Sequence, residues 1–270
     1  MHLKETEPSP GSITAPEDLQ SNLNITLTHK PTTTVSSSTP NEQQQQQPPN
    51  KSRRPLYFAY GSNLSPTQMR HRCTQNPTRS SHPVAIATLP HWRWLICESG
   101  YANVVPPPSL RIGKQLSGGD KVPVSGEEDA VFGVLYDMDV GDERLLDGFE
   151  GVDRCAPVSR EGGRVPLRVR PREQGSGDYN KWVVGARVVR WLDGGYQRGL
   201  IGDGDGEGED GEGEGGEVMT LVYVDEERVK CGPPYKEYIA RMNRAISEAE
   251  TLGFPAKWAE EVMRPYIPRE

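Results

Sequence analysis

Tyr57-Phe-Ala-Tyr-Gly-Ser-Asn-Leu64 is the stretch of the 270-residue chain that decides its fold. The unbroken apolar and aromatic run Leu56–Tyr60 predicts a strand that is buried on both faces. This stretch is followed by Ser65-Pro-Thr-Gln68, which has a capping serine, a proline at the first helical position and a glutamine three residues after the cap. The sequence therefore predicts a buried strand, a short loop and a helix that runs to about Cys73.

The loop Gly61-Ser-Asn-Leu64 has the properties of an anion-binding turn. Gly61 allows close approach of the backbone to a ligand, and Asn63 tolerates a positive φ angle. The start of the following helix adds partial positive charge, which suits a carboxylate or an oxyanion. An ordinary strand–helix turn has the same spacing, and spacing alone favours that simpler interpretation.

The sequence from residue 84 onward predicts mostly strands. Apolar runs predict them at Val84–Leu89, Trp92–Cys97, Ala102–Val105, Ala130–Met138, Val165–Val169, Trp182–Trp191 and Val218–Val224. Together with the helices below, these strands predict an α+β fold, a small mixed β-barrel or curled sheet with surrounding helices.

Two further helical regions are predicted, one central and one at the C-terminus. Asp139 is expected to cap a short helix over Val140–Phe149. The apolar side of this helix is expected to consist of Leu145, Leu146 and Phe149. Near the C-terminus, apolar residues recur at helical spacing, at Tyr235, Ile239, Met242, Ile246 and Ala249. Gly253 is expected to end that helix, and Pro255 to open another one.

Two segments are too polar to form a core. Residues 1–54 are rich in Ser, Thr, Pro, Asn and Gln, which predicts a disordered N-terminal arm. The Gly-rich run 202–217 carries eight Asp and Glu residues and no Lys or Arg, which predicts a disordered acidic loop inside a domain spanning residues 55–270. Asp203 to Glu214 match a calcium loop in outline, but the strand-like flanks argue against that interpretation.

The charge distribution argues against two classes of partner. The net charge of −7 comes from the acidic run, because without its eight acidic residues the chain carries +1. The sequence therefore predicts no nucleic-acid partner and no polybasic membrane patch. It also shows no apolar window of about 18 residues and no apolar N-terminal signal, from which a cytoplasmic protein without a membrane partner is expected.

The sequence gives little support for a metal site or for a catalytic nucleophile. The four cysteines form no Cys-x-x-Cys pair and stand beside no histidine cluster, so we expect reduced thiols and no metal site. There is also no Gly-x-Ser-x-Gly motif and no cysteine with an evident base.

Glu150 and Tyr235 are two further candidates for chemistry. Glu150 stands at the C-terminal end of a predicted helix and next to Phe149, where the helix dipole and desolvation would both raise its pKa. A raised pKa suits a proton shuttle, although the pattern alone favours a surface glutamate. Tyr235 begins the C-terminal helix, either as a core tyrosine or as a hydroxyl that reaches a ligand.

Two motifs resemble the γ-glutamylcyclotransferase family. The first is Tyr57–Leu64. The second is Val131-Phe-Gly-Val-Leu-Tyr136 followed by Leu145-Leu-Asp-Gly-Phe-Glu-Gly-Val152. Pro234-Tyr-Lys236 and Gly253-Phe-Pro255 resemble the family's C-terminal part. The resemblance covers roughly residues 56–152 and 232–265, and both motifs in this order are specific.

The resemblance implies a site and a reaction. The loop after the first strand would bind the γ-glutamyl group, Glu150 would be the catalytic acid and base, and no cofactor would be needed. The substrate-binding residues would be Tyr57, Phe58, Ala59, Tyr60, Gly61, Ser62, Asn63, Leu64 and Tyr235. The reaction would convert a small γ-glutamyl substrate to 5-oxoproline and a free amino acid or amine, in a monomer or homodimer.

Several alternatives remain open at this point. Related subfamilies act on glutathione or on γ-glutamyl-lysine and carry Tyr-Gly-Ser-Leu or Tyr-Gly-Thr-Leu, whereas Asn63 favours the branch that acts on γ-glutamyl amino acids. Ala102-Asn-Val104 stands where a Gly-rich substrate loop is expected, which bears on substrate choice. Two rival hypotheses are a non-catalytic protein that binds a γ-glutamyl ligand, and a partner-binding protein that acts through residues 1–54 and the acidic loop.

Overall fold

The apolar run at the start of the decisive stretch forms strand β1, Leu56–Ala59, and all four of its residues are buried. The computed structural model describes residues 54–112, 129–201 and 216–269. The predicted arm over residues 1–54 lies outside these ranges except for Arg54. Most of the acidic run, residues 202–215, lies outside them as well. Disorder in both segments, and the domain boundaries drawn from them, therefore stay predictions.

Seven strands are found in the described ranges. Besides β1 they are β2 (Pro83–Pro90), β3 (Arg93–Ile96), β4 (Ala102–Val105), β5 (Ala130–Tyr136), β6 (Asn180–Trp191) and β7 (Glu217–Val224). Five of them close into a barrel in the order β1-β5-β2-β6-β7, and β3 pairs with β4 in a separate sheet. The barrel closes where β1 runs parallel to β7, while its other pairs are antiparallel.

Helices follow or connect these strands. They are α1 (Pro66–Arg72), α2 (Pro77–Ser80), α3 (Val140–Phe149), α4 (Gly194–Ile201), α5 (Lys236–Thr251) and α6 (Ala256–Trp258). Short helical turns occur at Ser62–Leu64, Pro108–Leu110 and Ala259–Met263. The predicted α+β class with a small mixed barrel is thereby confirmed. None of the helices in the described residues is long and apolar enough to cross a membrane.

The predicted helix ends are confirmed by their capping contacts. The Ser65 hydroxyl accepts the backbone N–H of Gln68 at 2.9 Å at the start of α1. The Asp139 carboxylate accepts the N–H of Gly141 at 2.8 Å at the start of α3. Gly253 follows α5 with φ of 87°, in the left-handed region that glycine adopts at a helix end. Each side-chain cap satisfies an N–H that would otherwise lack a partner.

Two sequence predictions about elements are wrong. Val165–Val169 is not a strand, because the Pro166 carbonyl accepts the N–H groups of Val169 and Arg170 at 2.9 and 3.0 Å and closes a turn. Phe149 does not belong to the apolar side of α3, since it is 58 % exposed. The structure also contains α2 and α4, which apolar periodicity did not predict.

The core fills the barrel and the space under α5. Its largest fully buried side chains include Phe58, Tyr136, Trp182 and Tyr223. From α5, the predicted stripe contributes three buried residues, Met242, Ile246 and Ala249. Burying one large apolar side chain contributes about 1.5–3 kcal/mol, so this core holds β1 and the loop that follows it in place.

Gly133 in β5 tests the close packing between β1 and β5. An added Cβ at this position would lie 2.5 Å from the Phe58 ring and 2.7 Å from the Ala59 carbonyl oxygen. We expect Gly133→Ala to lower the free energy of unfolding by about 1–3 kcal/mol, because ring and backbone must both shift. Denaturant unfolding measures this change. Gly185→Ala in β6 is the control, since the three atoms nearest to its Cβ would all belong to the flexible Glu217 side chain, and an equal loss in both variants would contradict the prediction.

Candidate active site

A cavity of about 950 Å³ opens where β1, α3 and α5 meet. Its inner part is lined by Tyr57 and Tyr60 from the first motif and by Glu150 at the end of α3. Tyr235 lies at the start of α5 and is 55 % exposed, so it stands at the mouth of the cavity. The fold thus brings residues from both predicted motifs and from the C-terminal part to one cavity.

The two motifs meet in a direct contact between side chains. The Asn63 amide nitrogen Nδ2 donates to Glu150 Oε1 at 3.1 Å, although the residues are 87 positions apart in the chain. The same nitrogen donates to the Tyr57 hydroxyl at 2.8 Å. Asn63 is therefore oriented by two partners, and its other amide atom, Oδ1, accepts from Arg72 at 3.2 Å.

Arg72 completes this cluster around Glu150. Its Nη1 donates to Glu150 Oε1 at 2.8 Å, and the two side chains are only 12 % and 16 % exposed. Burial raises the pKa of Glu150, while the charge of Arg72 and the hydrogen bond from Asn63 lower it. Burial is the largest of these effects, so the pKa of Glu150 lies above its ordinary value. This is the direction that the sequence predicted.

Several tyrosines surround the carboxylate and stay neutral. Burial is the main cause that raises the pKa of Tyr57 and Tyr60 well above its ordinary value, and Glu150 adds to both shifts. The pKa of Tyr238 rises to about 12, again mainly by burial. These hydroxyls can therefore donate hydrogen bonds in the neutral range without adding negative charge.

The loop after β1 is a tight helical turn with fewer available N–H groups than expected. The N–H of Leu64 donates to the Gly61 carbonyl at 2.9 Å. The Tyr238 hydroxyl accepts the N–H of Ala102 at 3.4 Å and also interacts with the backbone of Ser62. Gly61 and Asn63 are thus the candidates for backbone contact with an anion. Asn63 does not use its tolerance of positive φ, because His91 is the one such non-glycine residue in the described ranges.

The predicted binding residues divide into two groups. Seven predicted site residues line the cavity: Tyr57, Tyr60, Gly61, Ser62, Asn63, Glu150 and Tyr235. Phe58, Ala59 and Leu64 do not line it, because all three are fully buried in the core. Their role is to hold the loop from beneath. The interpretation of Tyr235 as a core tyrosine is wrong, since its side chain is exposed.

Sequence reasoning missed three cavity residues with clear contacts. Arg72 pairs with Glu150, Tyr238 touches Ser62 in the loop after β1, and Arg241 lies over the Tyr238 ring at 5.0 Å. Tyr238 and Arg241 follow Tyr235 by three and six residues, at helical spacing, so a search over the next two turns of the predicted helix would have found them. Arg72 at the end of α1 belongs to no motif or apolar periodicity that would have indicated its role in the sequence.

The described part of the chain shows no arrangement of side chains suited to metal binding or to thiol chemistry. No group of three or more His, Cys, Asp or Glu side chains there is placed to hold a metal ion. Cys73 and Cys97 are buried free thiols, and Cys155 and Cys231 are exposed free thiols. Burial raises the pKa of Cys73 to about 12, so this thiol stays protonated near neutral pH.

Comparisons with known proteins return solved structures. No protein-family model and no curated protein matches the chain. A structure titled γ-glutamyl cyclotransferase is similar at 18 % identity and a TM-score of 0.42, covering 77 % of this chain and 85 % of that one. A human protein described as uncharacterised has 17 % identity with the same coverage and TM-score.

A third similar structure comes from yeast and is titled a γ-glutamyl cyclotransferase specific to glutathione. It has 12 % identity and a TM-score of 0.40, and the match covers 80 % of this chain and 98 % of that one. Two of these three structures carry γ-glutamyl cyclotransferase in their titles. At such identities and TM-scores, the reaction of this chain has to be inferred from its own residues.

Gly61 tests the packing of the loop against α5. An added Cβ would lie 2.8 Å from the Tyr238 hydroxyl and 3.2 Å from Ala102 Cβ. We expect Gly61→Ala to lower the free energy of unfolding by about 1–3 kcal/mol, and by less in a Tyr238→Phe background that lacks this hydroxyl. Denaturant unfolding of the four proteins in this cycle measures the difference.

Gly148 in α3 is the matched control, because an added Cβ there meets nothing within 4 Å. Gly148→Ala is expected to stabilise the protein by up to about 1 kcal/mol, since alanine favours a helix over glycine. An equal cost of Gly61→Ala in both Tyr238 backgrounds would show that the hydroxyl does not restrict the loop.

Proposed function

We propose that this protein is a γ-glutamylcyclotransferase that acts on γ-glutamyl amino acids, with Glu150 as acid and base. The observation that carries the proposal is the contact between Asn63 and Glu150, which joins the two motifs at one cavity. A carboxylate with a raised pKa, held by an amide and an arginine, is suited to move a proton near neutral pH.

The reaction needs only a substrate that is folded back on itself. The α-amine of the γ-glutamyl group attacks its own γ-carbonyl carbon, a new C–N bond closes the five-membered ring, and the bond to the leaving amine breaks. Atoms and electrons balance without an oxidant, because the step is an acyl transfer within one molecule. Holding nucleophile and carbonyl together in the cavity supplies part of the rate, since oriented intramolecular reactions have high effective molarities.

Glu150 provides the proton transfers that this cyclisation requires. An α-ammonium group has a pKa of about 8, so a nearby carboxylate can accept its proton and free the amine for attack. The same carboxyl group then donates a proton to the departing amine. Within the described residues, both donors to Glu150 bind Oε1, and none binds Oε2.

The loop after β1 supplies the charge stabilisation in this proposal. The N–H groups of Gly61 and Asn63 are the candidates to bind the substrate carboxylate or the oxyanion that forms during attack. Tyr57 and Tyr60 line the same inner wall and contribute neutral hydroxyl and ring surface. Tyr235, which lines the cavity and is exposed at its mouth, is the residue proposed to contact the leaving group.

The choice of substrate is decided by a direct comparison. Asn63 favours γ-glutamyl amino acids, whereas a related branch would act on glutathione or on a γ-glutamyl-amine. Purified protein is incubated with γ-glutamyl-alanine, glutathione and γ-glutamyl-lysine, and 5-oxoproline is quantified by mass spectrometry. The proposal expects γ-glutamyl-alanine to be the best of the three. Saturable binding without product from any of them would favour a non-catalytic ligand-binding protein. Cytoplasmic location and a monomeric or homodimeric state stay predictions.

Glu150→Gln tests the proton shuttle. The amide keeps an oxygen that can accept from Asn63 and Arg72, so the fold is expected to be preserved. Without an ionisable group, 5-oxoproline release should fall by roughly 10²–10⁴-fold. Steady-state kinetics with circular dichroism measure activity and folding together. Glu261→Gln, outside the cavity lining and 63 % exposed, is the control, and turnover of Glu150→Gln at the rate of the wild type would refute the proposal.

The pH dependence of kcat/KM gives an independent test. Glu150 must be ionised in the free enzyme to accept a proton, and its pKa is raised above the ordinary value of 4.5. Activity should therefore fall as pH falls through a pKa above 4.5, and the acid limb should be absent from residual Glu150→Gln activity. An acid limb at or below 4.5 in the wild-type protein would argue against Glu150 as the base.

A further inference from the structure

We propose that Arg72 is a positioning residue for this reaction, which holds Glu150 by Oε1 and leaves Oε2 as the oxygen that exchanges the proton. The inference rests on the function proposed above and adds a residue that neither sequence motif contains. Arg72 itself would not touch the reacting atoms, because it acts through the carboxyl group of Glu150.

The contacts of Arg72 form a closed triangle with the two motif residues. Its Nη1 reaches Glu150 Oε1 at 2.8 Å and Asn63 Oδ1 at 3.2 Å. Asn63 Nδ2 closes the third side to Glu150 Oε1 at 3.1 Å. Glu150 Oε1 thus accepts two donors, one of them charged, while no donor to Oε2 exists among the described residues. Such a pair of donors fixes the plane of the carboxylate and separates the roles of its two oxygens.

The position of Arg72 is itself held by packing. Its guanidinium carbon lies 5.0 Å from the centroid of the Phe149 ring, a distance at which a cation is attracted to an aromatic face. Phe149 is 58 % exposed, and the contact with Arg72 covers part of its ring. The Phe149 ring supports Arg72. Phe149, which directly precedes Glu150 in the chain, therefore contacts the arginine that pairs with Glu150.

The surroundings of Glu150 make Arg72 the main source of charge compensation. Six further titratable groups lie within electrostatic reach of Glu150, namely Tyr57, Tyr60, Tyr179, Tyr223, Tyr238 and Arg241. Burial is the main cause that raises the pKa of all five tyrosines, so they stay neutral at neutral pH. Arg241 lowers the pKa of Glu150 less than Arg72 does. Within this set, Glu150 is the group whose charge changes in the acid range.

An ion pair that serves only stability is the competing explanation for Arg72. Buried ion pairs are weak evidence for a net stabilising role, because desolvation offsets much of the attraction. A purely structural pair would change thermal stability and, through the lost charge, the acid limb of kcat/KM when it is removed, but it would leave kcat at the pH optimum unchanged. A positioning role also lowers kcat at the pH optimum, even in variants that fold normally.

The test compares Arg72→Gln, Arg72→Lys and Arg70→Gln in the full-length protein with γ-glutamyl-alanine. Arg70→Gln is the matched control, since Arg70 lies on the same helix and is exposed. Arg72→Gln is expected to move the acid limb of kcat/KM to higher pH and to lower kcat roughly 10²-fold with a smaller change in KM. Arg72→Lys is expected to bring the acid limb back toward its wild-type pH because the positive charge is kept. It is not expected to restore kcat, because an ammonium group lacks the planar geometry of guanidinium.

A second readout does not depend on turnover. Titration of the Glu150 carboxyl carbon by ¹³C NMR, assigned by its loss in Glu150→Gln, is expected to show a higher pKa in Arg72→Gln than in the wild type. If the wild type releases no 5-oxoproline, the proposed function fails, while the titration still measures the coupling of Arg72 to Glu150. The inference is overturned if the acid limb of kcat/KM and the titration of Glu150 are unchanged in Arg72→Gln. It is also overturned if Arg70→Gln shifts them as much as Arg72→Gln does, or if Arg72→Lys keeps the wild-type kcat.

Discussion

The site depends on one interaction, the pair of hydrogen bonds that Arg72 and Asn63 donate to Glu150 Oε1. A carboxylate at the inner end of a cavity is costly unless it is paired, and burial alone would keep it protonated. Arginine and asparagine oppose that effect from two different elements, the end of α1 and the turn after β1. The rest of the barrel can be understood as the frame that brings these three side chains together.

The pairing of β1 with β5 explains why they meet. The strands are antiparallel with Tyr57 opposite Tyr136, so β5 ends beside the start of β1. Helix α3 follows β5 and, with ten residues, spans about 15 Å. At the far end of this helix Glu150 meets Asn63 in the turn after β1. The Tyr136 hydroxyl also donates to the Leu64 carbonyl at 3.1 Å, which ties the turn to β5.

Local signals in the sequence were sufficient for β1 and for the capped starts of α1 and α3, because each depends on neighbouring residues. The order of strands and helices along the chain was sufficient for the fold class. The strand predicted over Val165–Val169 failed because Pro166 closes a turn that apolar content does not reveal. In the site, Glu150 and Asn63 were predicted through a family resemblance. Arg72 was not, since its role comes from contacts 9 and 78 positions away in the chain.

The balance of forces on Glu150 also bears on what the cavity can do. Burial raises the pKa of the carboxyl group, which in the proposed reaction would favour returning a proton to a leaving amine, whereas Arg72 favours the ionised form that would accept one. A shuttle needs both states within reach near neutral pH, so neither influence can dominate strongly. Neutral tyrosines around the carboxylate preserve that balance, because they add hydrogen-bonding groups to the cavity without adding charge.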